Sequence, residues 1–112
     1  VGNHRDAWTF GAVDPNSGTA PMVEMARALG SLYQNGWRPR RSVWICSWDA
    51  EEYGLEGSVE FVEQYESMLL HQAVAYINVD LGVSGTPLLY MDGVPSLSAL
   101  VADVSKTVSA PA

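Results

Sequence analysis

The chain has one cysteine among its 112 residues, Cys46, so no internal disulfide can form. Cys46 sits within an apolar run and reads as a small core residue, which leaves the redox compartment open. Cations are scarce as well: six Lys and Arg stand against thirteen Asp and Glu, for a net charge of −7. Phosphate contacts need clustered Lys and Arg, so this balance argues against a nucleic-acid partner. The nearest basic cluster, Arg38, Arg40 and Arg41, is interrupted by Pro39 and reads as a solvated turn entering a strand. No stretch of about 18 apolar residues occurs and no basic-apolar-small leader opens the chain, so no segment of it reads as a membrane span or signal peptide.

A hydrophobic content of 47% with 17% charged residues is that of a globular core, one domain or part of one. The chain opens abruptly at Val1-Gly2-Asn3-His4, as a strand end would, and stops after Ala110-Pro111-Ala112. We therefore expect an excerpt of a longer protein. The expected elements are as follows: a strand end at residues 1–10, a loop at Asp14-Pro15-Asn16-Ser17-Gly18, and a helix from Pro21 with an inner face of Met22, Met25, Ala26, Leu29, Leu32 and Tyr33. Asn35-Gly36 ends that helix. Val43-Trp44-Ile45-Cys46 reads as a buried strand. Ser58, Phe61, Val62, Tyr65 and Leu69 mark one amphipathic helix whose acids face solvent. Residues 73–79 form the next strand with Asp80 at its end, Gly82 and Gly85 turn the chain, and 88–91 form a shorter strand. After a turn at Asp92-Gly93, Leu97, Leu100, Val101, Val104 and Val108 give a third helical face. This alternation predicts an α/β fold, a largely parallel sheet with helices on both sides.

The chemistry concentrates at strand ends, where ligands bind in such sheets. Ser47-Trp48-Asp49-Ala50-Glu51-Glu52-Tyr53-Gly54-Leu55 sets two adjacent carboxylates behind the apolar run. Neighbouring residues point about 100° apart on a helix and alternate in extended chain. One acid can thus bind a metal while the other faces what the metal holds, or both can be solvated acids in the first turn of a helix. The pair alone leaves both readings open. His4 with Asp6, Asp14, and Asp80 occupy other strand ends and loops, so His4, Asp14, Glu52 and Asp80 could converge on one rim. Acids so close cannot stay ionised together without cations, and imidazole with carboxylate suits zinc. Two divalent ions would balance Asp14, Glu51, Glu52 and Asp80 in charge, and a carboxylate such as Asp14 can bridge ions about 3.5–4 Å apart. Trp8, Phe10, Trp44 and Trp48 read as packing around the rim.

With these residues in place the chain resembles the co-catalytic di-zinc exopeptidases that include glutamate carboxypeptidase II and the transferrin receptor. The likeness lies in Gly2-Asn3-His4-Arg5-Asp6-Ala7-Trp8, Gly11-Ala12-Val13-Asp14-Pro15-Asn16-Ser17-Gly18, Gly36-Trp37-Arg38-Pro39-Arg40-Arg41, Ser47 to Leu55, and Tyr76-Ile77-Asn78-Val79-Asp80. It weakens after Asp80. The resemblance implies a three-layer α/β/α zinc-peptidase domain of which residues 1–112 are part. It implies two Zn2+, with His4 and Asp80 on one, Glu52 on the other and Asp14 bridging, and it makes Glu51 the general base. It places Asp6 behind His4, where it would orient the imidazole. Glu60 and Glu63 match positions that bind a structural Ca2+. The fifth zinc ligand, a histidine, would follow Asp80 in the parent; His71 precedes Asp80 and does not fit. The substrate would be a peptide, trimmed at either its C- or its N-terminus, and a non-catalytic, receptor-like relative is the alternative. Relatives are often homodimeric, membrane-anchored ectodomains, secretory or vacuolar. No His-Glu-x-x-His occurs, which argues against a different zinc-protease architecture.

Overall fold

The computed structural model describes residues 1–83 and 89–109. Its centre is a short parallel pair, β1 (Gly2–His4) and β2 (Cys46–Trp48), in register Gly2 with Cys46, Asn3 with Ser47 and His4 with Trp48. On the other side of β1, Asn78 bridges to Gly2 in parallel, with the Gly2 amide donating to Ile77 O and the Val79 amide to Gly2 O. β1 is thus the middle of three segments. His4, Trp48 and Asp80 emerge from neighbouring positions at one end. The helices are α1 (Asn16–Gln34), α2 (Glu56–Gln64), α3 (Glu66–Gln72) and α4 (Pro95–Ser105). The chain is a small mixed α/β unit.

α1 packs on β1, Gly18 and Met22 are its buried residues, and Met25, Ala26 and Leu29 continue a half-buried stripe. Leu32 and Tyr33, expected on the same face, are exposed. The helix begins at Asn16, five residues before Pro21, the expected start. The Pro15 carbonyl accepts from the amides of Gly18 and Thr19 and so opens the helix. Pro21 lies inside it, where proline takes a donor from the ladder and leaves the carbonyl four residues back without its usual partner. That carbonyl belongs to Ser17 and lies against Gly82, whose Cβ, were there one, would stand 2.1 Å from it.

Gly18 has even less room. A Cβ there would lie 2.0 Å from Val79 O and 2.2 Å from Asp80 O. Both contacts are to backbone, so one structure must move. Gly18→Ala is accordingly expected to destabilise the protein by about 1–3 kcal/mol or more, the usual cost of overpacking. Thermal unfolding checks this; an unchanged midpoint would contradict the close approach.

Further expectations are corrected. Val43, Trp44 and Ile45 are exposed, and the strand is Cys46–Trp48. Strand pairing begins only where β1 lies alongside, and residues upstream of Trp44 have no such neighbour among those described. The single helix expected around Ser58 to Leu69 is two, broken at Tyr65, whose φ of −112° leaves the helical region. Residues 73–76 are not in a strand, since the bridge at Asn78 is the pairing this segment makes. Of the strand expected at 88–91, Leu88 lies outside the described residues, as does Gly85, and Leu89–Met91 is not in a strand. α4 stops at Ser105, short of Val108. The aromatics pack in part as expected: Trp44 and Trp48 lie against Phe61, and Trp8 against Tyr53, while Phe10 is wholly exposed. No helix among the described residues is long and apolar enough to cross a membrane.

Candidate metal centre

β1 delivers His4 to the end of the sheet with its side chain 2% exposed. Its Nδ1 lies 2.9 Å from the Asp6 carbonyl oxygen, which only accepts, so Nδ1 carries the proton. Nε2 then faces Asp80 Oδ1 at 3.0 Å and Asp14 Oδ1 at 3.1 Å, with Glu51 Oε2 at 3.8 Å. An imidazole lone pair cannot face two carboxylates without a positive species between them. A second proton on the ring meets that need, and so does a metal cation. Burial disfavours the charged ring, but the hydrogen bond and charge of Asp80, the charge of Glu51 and the Asp6 carbonyl outweigh it and raise the His4 pKa.

The donor set fits a metal. Single ligand atoms of His4, Asp14 and Asp80 lie within 4.8 Å of one another, the one such group among the described residues. Two donors on a tetrahedral zinc lie about 3.3 Å apart, close to the separations found here. One imidazole with carboxylates is a borderline set that suits zinc better than calcium or magnesium.

The acidic turn is held by the two residues that follow β1, Arg5 and Asp6. The Asp6 carboxylate accepts from the amides of Glu51 at 3.1 Å and Glu52 at 3.2 Å, and Arg5 donates to Ser47 O at 2.7 Å and pairs with Asp49 at 3.2 Å. Ala50 and Leu55 flank the acids with φ of 54° and 64°, a left-handed conformation uncommon outside glycine. Burial opposes the charged form of Asp6, yet the two amides bring its pKa below the usual carboxylate range. Glu51 moves the other way. Burial, then the charges of Asp80, Glu52 and Asp14, raise its pKa against the pull of His4.

The residues singled out in the sequence therefore divide. His4, Asp14, Asp80 and Glu51 come together. The Glu52 carboxylate stands outside the group of three, although its charge is felt by Glu51. Asp6 reaches the imidazole through its carbonyl, while its carboxylate lies 3.4 Å from Nδ1 and is engaged by the acidic turn. Glu60 and Glu63 are exposed on α2, away from this group. Sequence reasoning gave no task to Asn3 or Arg5, and gave the glycines at 18 and 82 only that of turning the chain. Glycines facing each other across a helix start and a strand end are a signal of close approach, whereas Asn3 gave none beyond being polar in an apolar strand.

Comparison with known proteins bears on the family. The family model described as peptidase family M28 matches residues 1–112. A probable glutamate carboxypeptidase of Arabidopsis thaliana is 54% identical over 111 residues, which are 99% of this chain and 16% of that protein. The aminopeptidase NAALADL1 of Mus musculus is 50% identical over 111 residues, 98% of this chain and 15% of its own length. A glutamate carboxypeptidase 2 homolog of Caenorhabditis briggsae is 46% identical over 112 residues, 99% of this chain and 14% of its own length. The chain spans about 15% of the length of these relatives.

Proposed function

The chain belongs to peptidase family M28, and on that footing we propose that it forms one wall of the active centre of a zinc-dependent exopeptidase resembling glutamate carboxypeptidase II. In this reading it is part of a single zinc-peptidase domain, three-layered α/β/α with a mostly parallel sheet, to which β1 and β2 contribute. The observation that carries the proposal is the His4 ring, protonated toward Asp6 and presenting its other nitrogen to two carboxylates.

His4 and Asp80 would hold one zinc, Glu52 a second, and Asp14 both. Zinc supplies a Lewis acid that activates water near neutral pH and polarises the peptide carbonyl. The chain's own residues do the rest. Glu51, 3.8 Å from Nε2 of His4 and held by its amide to Asp6, takes the proton from the attacking water on a carboxylate oxygen and returns it to the leaving amine. Burial of His4 excludes water from the ligand's far side, and Asp6 O fixes which nitrogen is free. A structural Ca2+ at Glu60 and Glu63 is consistent with two exposed acids one helical turn apart, the remaining oxygens coming from beyond this chain, since calcium takes six to eight.

The substrate is a peptide. Relatives named for opposite ends of a peptide are each half or more identical to this chain, so either polarity is open to the centre proposed here. A receptor-like, non-catalytic reading would leave the convergence of His4, Asp14, Asp80 and Glu51 without a task. The whole protein, loaded with zinc, should cleave either N-blocked or C-blocked peptides and lose that activity to a chelator. Cleavage of neither set would overturn the proposal.

A further inference from the structure

Asn3 is fully buried beside the centre, with 0% of its surface exposed. Its carboxamide is tied on every side. Oδ1 accepts from the His4 amide at 2.8 Å, and Nδ2 donates to Pro15 O at 2.9 Å and to Thr19 Oγ1 at 3.0 Å. The partners fix its orientation, because a proline carbonyl only accepts and an amide N–H only donates. One planar group therefore touches His4 itself and the residue that follows Asp14.

This matters because the Asp14 side chain is poorly held by packing. It is 49% exposed, yet its Oδ1 lies 3.1 Å from Nε2 of His4. Its position has to come from the backbone of the loop. That loop closes on itself through Asn16 N to Gly11 O and Ser17 N to Val13 O, which gives it a shape but no fixed place relative to β1. The place is given at Pro15, buried and bound to Asn3. Thr19, one turn into α1, adds a second anchor.

We propose that Asn3, with Thr19, is a positioning residue that sets the distance between Asp14 and His4, and thereby the affinity and geometry of the metal centre. The inference rests on the zinc-peptidase reading above and deepens it. Asparagine is required chemically: aspartate has the same shape, but it would turn an oxygen on the Pro15 carbonyl and repel it, while still accepting from His4.

The test is zinc affinity of the whole protein, measured by competition with a chromophoric chelator, together with thermal unfolding of the metal-free form. Asn3→Asp is expected to weaken zinc binding about 10–100-fold, the usual effect of removing a group that holds a ligand, and to shift the visible absorption of the cobalt-substituted protein. Thr19→Val, which removes only the hydroxyl, gives a smaller change in the same direction, and Thr19→Ser restores the wild-type value. Should Asn3→Asp fail to fold, the Thr19 pair carries the test alone. Lower unfolding temperatures with zinc affinity and cobalt spectrum unchanged would overturn the inference and leave the functional reading intact. A wild-type protein that takes up no zinc would overturn both.

Discussion

Glu51→Gln should leave a folded, zinc-loaded protein whose kcat is at least about 100-fold lower, and up to about 10,000-fold, the range a positioned general base contributes. Glutamine matches glutamate in size and shape, so the turn survives: its anchor is the Glu51 amide on Asp6, which the exchange does not touch. The carboxylate is what is lost, and with it the group proposed to accept the proton of the attacking water. The nearest alternative acceptors, Asp14 and Asp80, are engaged with Nε2 of His4 at 3.1 and 3.0 Å. Elemental analysis and steady-state kinetics on the same preparation check this. Wild-type kcat in a zinc-replete variant would remove Glu51 from the mechanism, whereas loss of zinc would recast it as a ligand.

The second large effect is expected at Asp14, with the opposite signature. Asp14→Ala should cost at least one equivalent of zinc as well as activity, because a carboxylate proposed to serve two ions is removed, leaving neutral His4 with Asp80 for one ion and Glu52 for the other. Asp14→Asn separates charge from shape. It retains an oxygen near Nε2 of His4 but no negative charge, and it should bind zinc more weakly than wild type. The backbone is not at risk, since the Asp14 side chain is half-exposed and the loop is closed by main-chain bonds on either side of it. Full zinc occupancy in Asp14→Ala would exclude Asp14 as a ligand. Together the two substitutions distinguish a proton-transfer residue from a ligand, which neither does alone.

Much of the centre was legible because its residues bear chemistry that a bland surface has no use for. An imidazole and acids at strand ends can be paired from the sequence alone, and His4, Asp14 and Asp80 do meet. The acidic pair was harder to read, since the sequence cannot say which of Glu51 and Glu52 turns inward. In the structure Glu51 approaches His4 and Glu52 does not join the group.

The scaffold was legible where local rules govern and obscure where pairing does. The inner face of α1 as far as Leu29 and its end near Asn35 follow from helical spacing and a terminating glycine. Its start was displaced because a proline suits a first turn, while the chain here tolerates Pro21 inside the helix by turning the freed Ser17 carbonyl toward Gly82. The break at Tyr65 has no glycine or proline to announce it. Strand extents failed for a different reason: apolar composition marks a residue as fit for a sheet, but hydrogen bonds need a neighbour. Cys46–Trp48 and Asn78 have β1 beside them; Val43 and residues 73–76 do not. Asn3 was invisible because its role lies in three partners that are nearby only after folding.

The central claim is that these side chains hold a pair of metal ions, and anomalous diffraction at the zinc edge from crystals of the whole protein tests it most directly. The account predicts two peaks about 3.5–4 Å apart, one touching His4 Nε2 and Asp80, the other touching Glu52, with Asp14 between them and Glu51 bound to neither. Absence of a peak beside His4 Nε2 would contradict it.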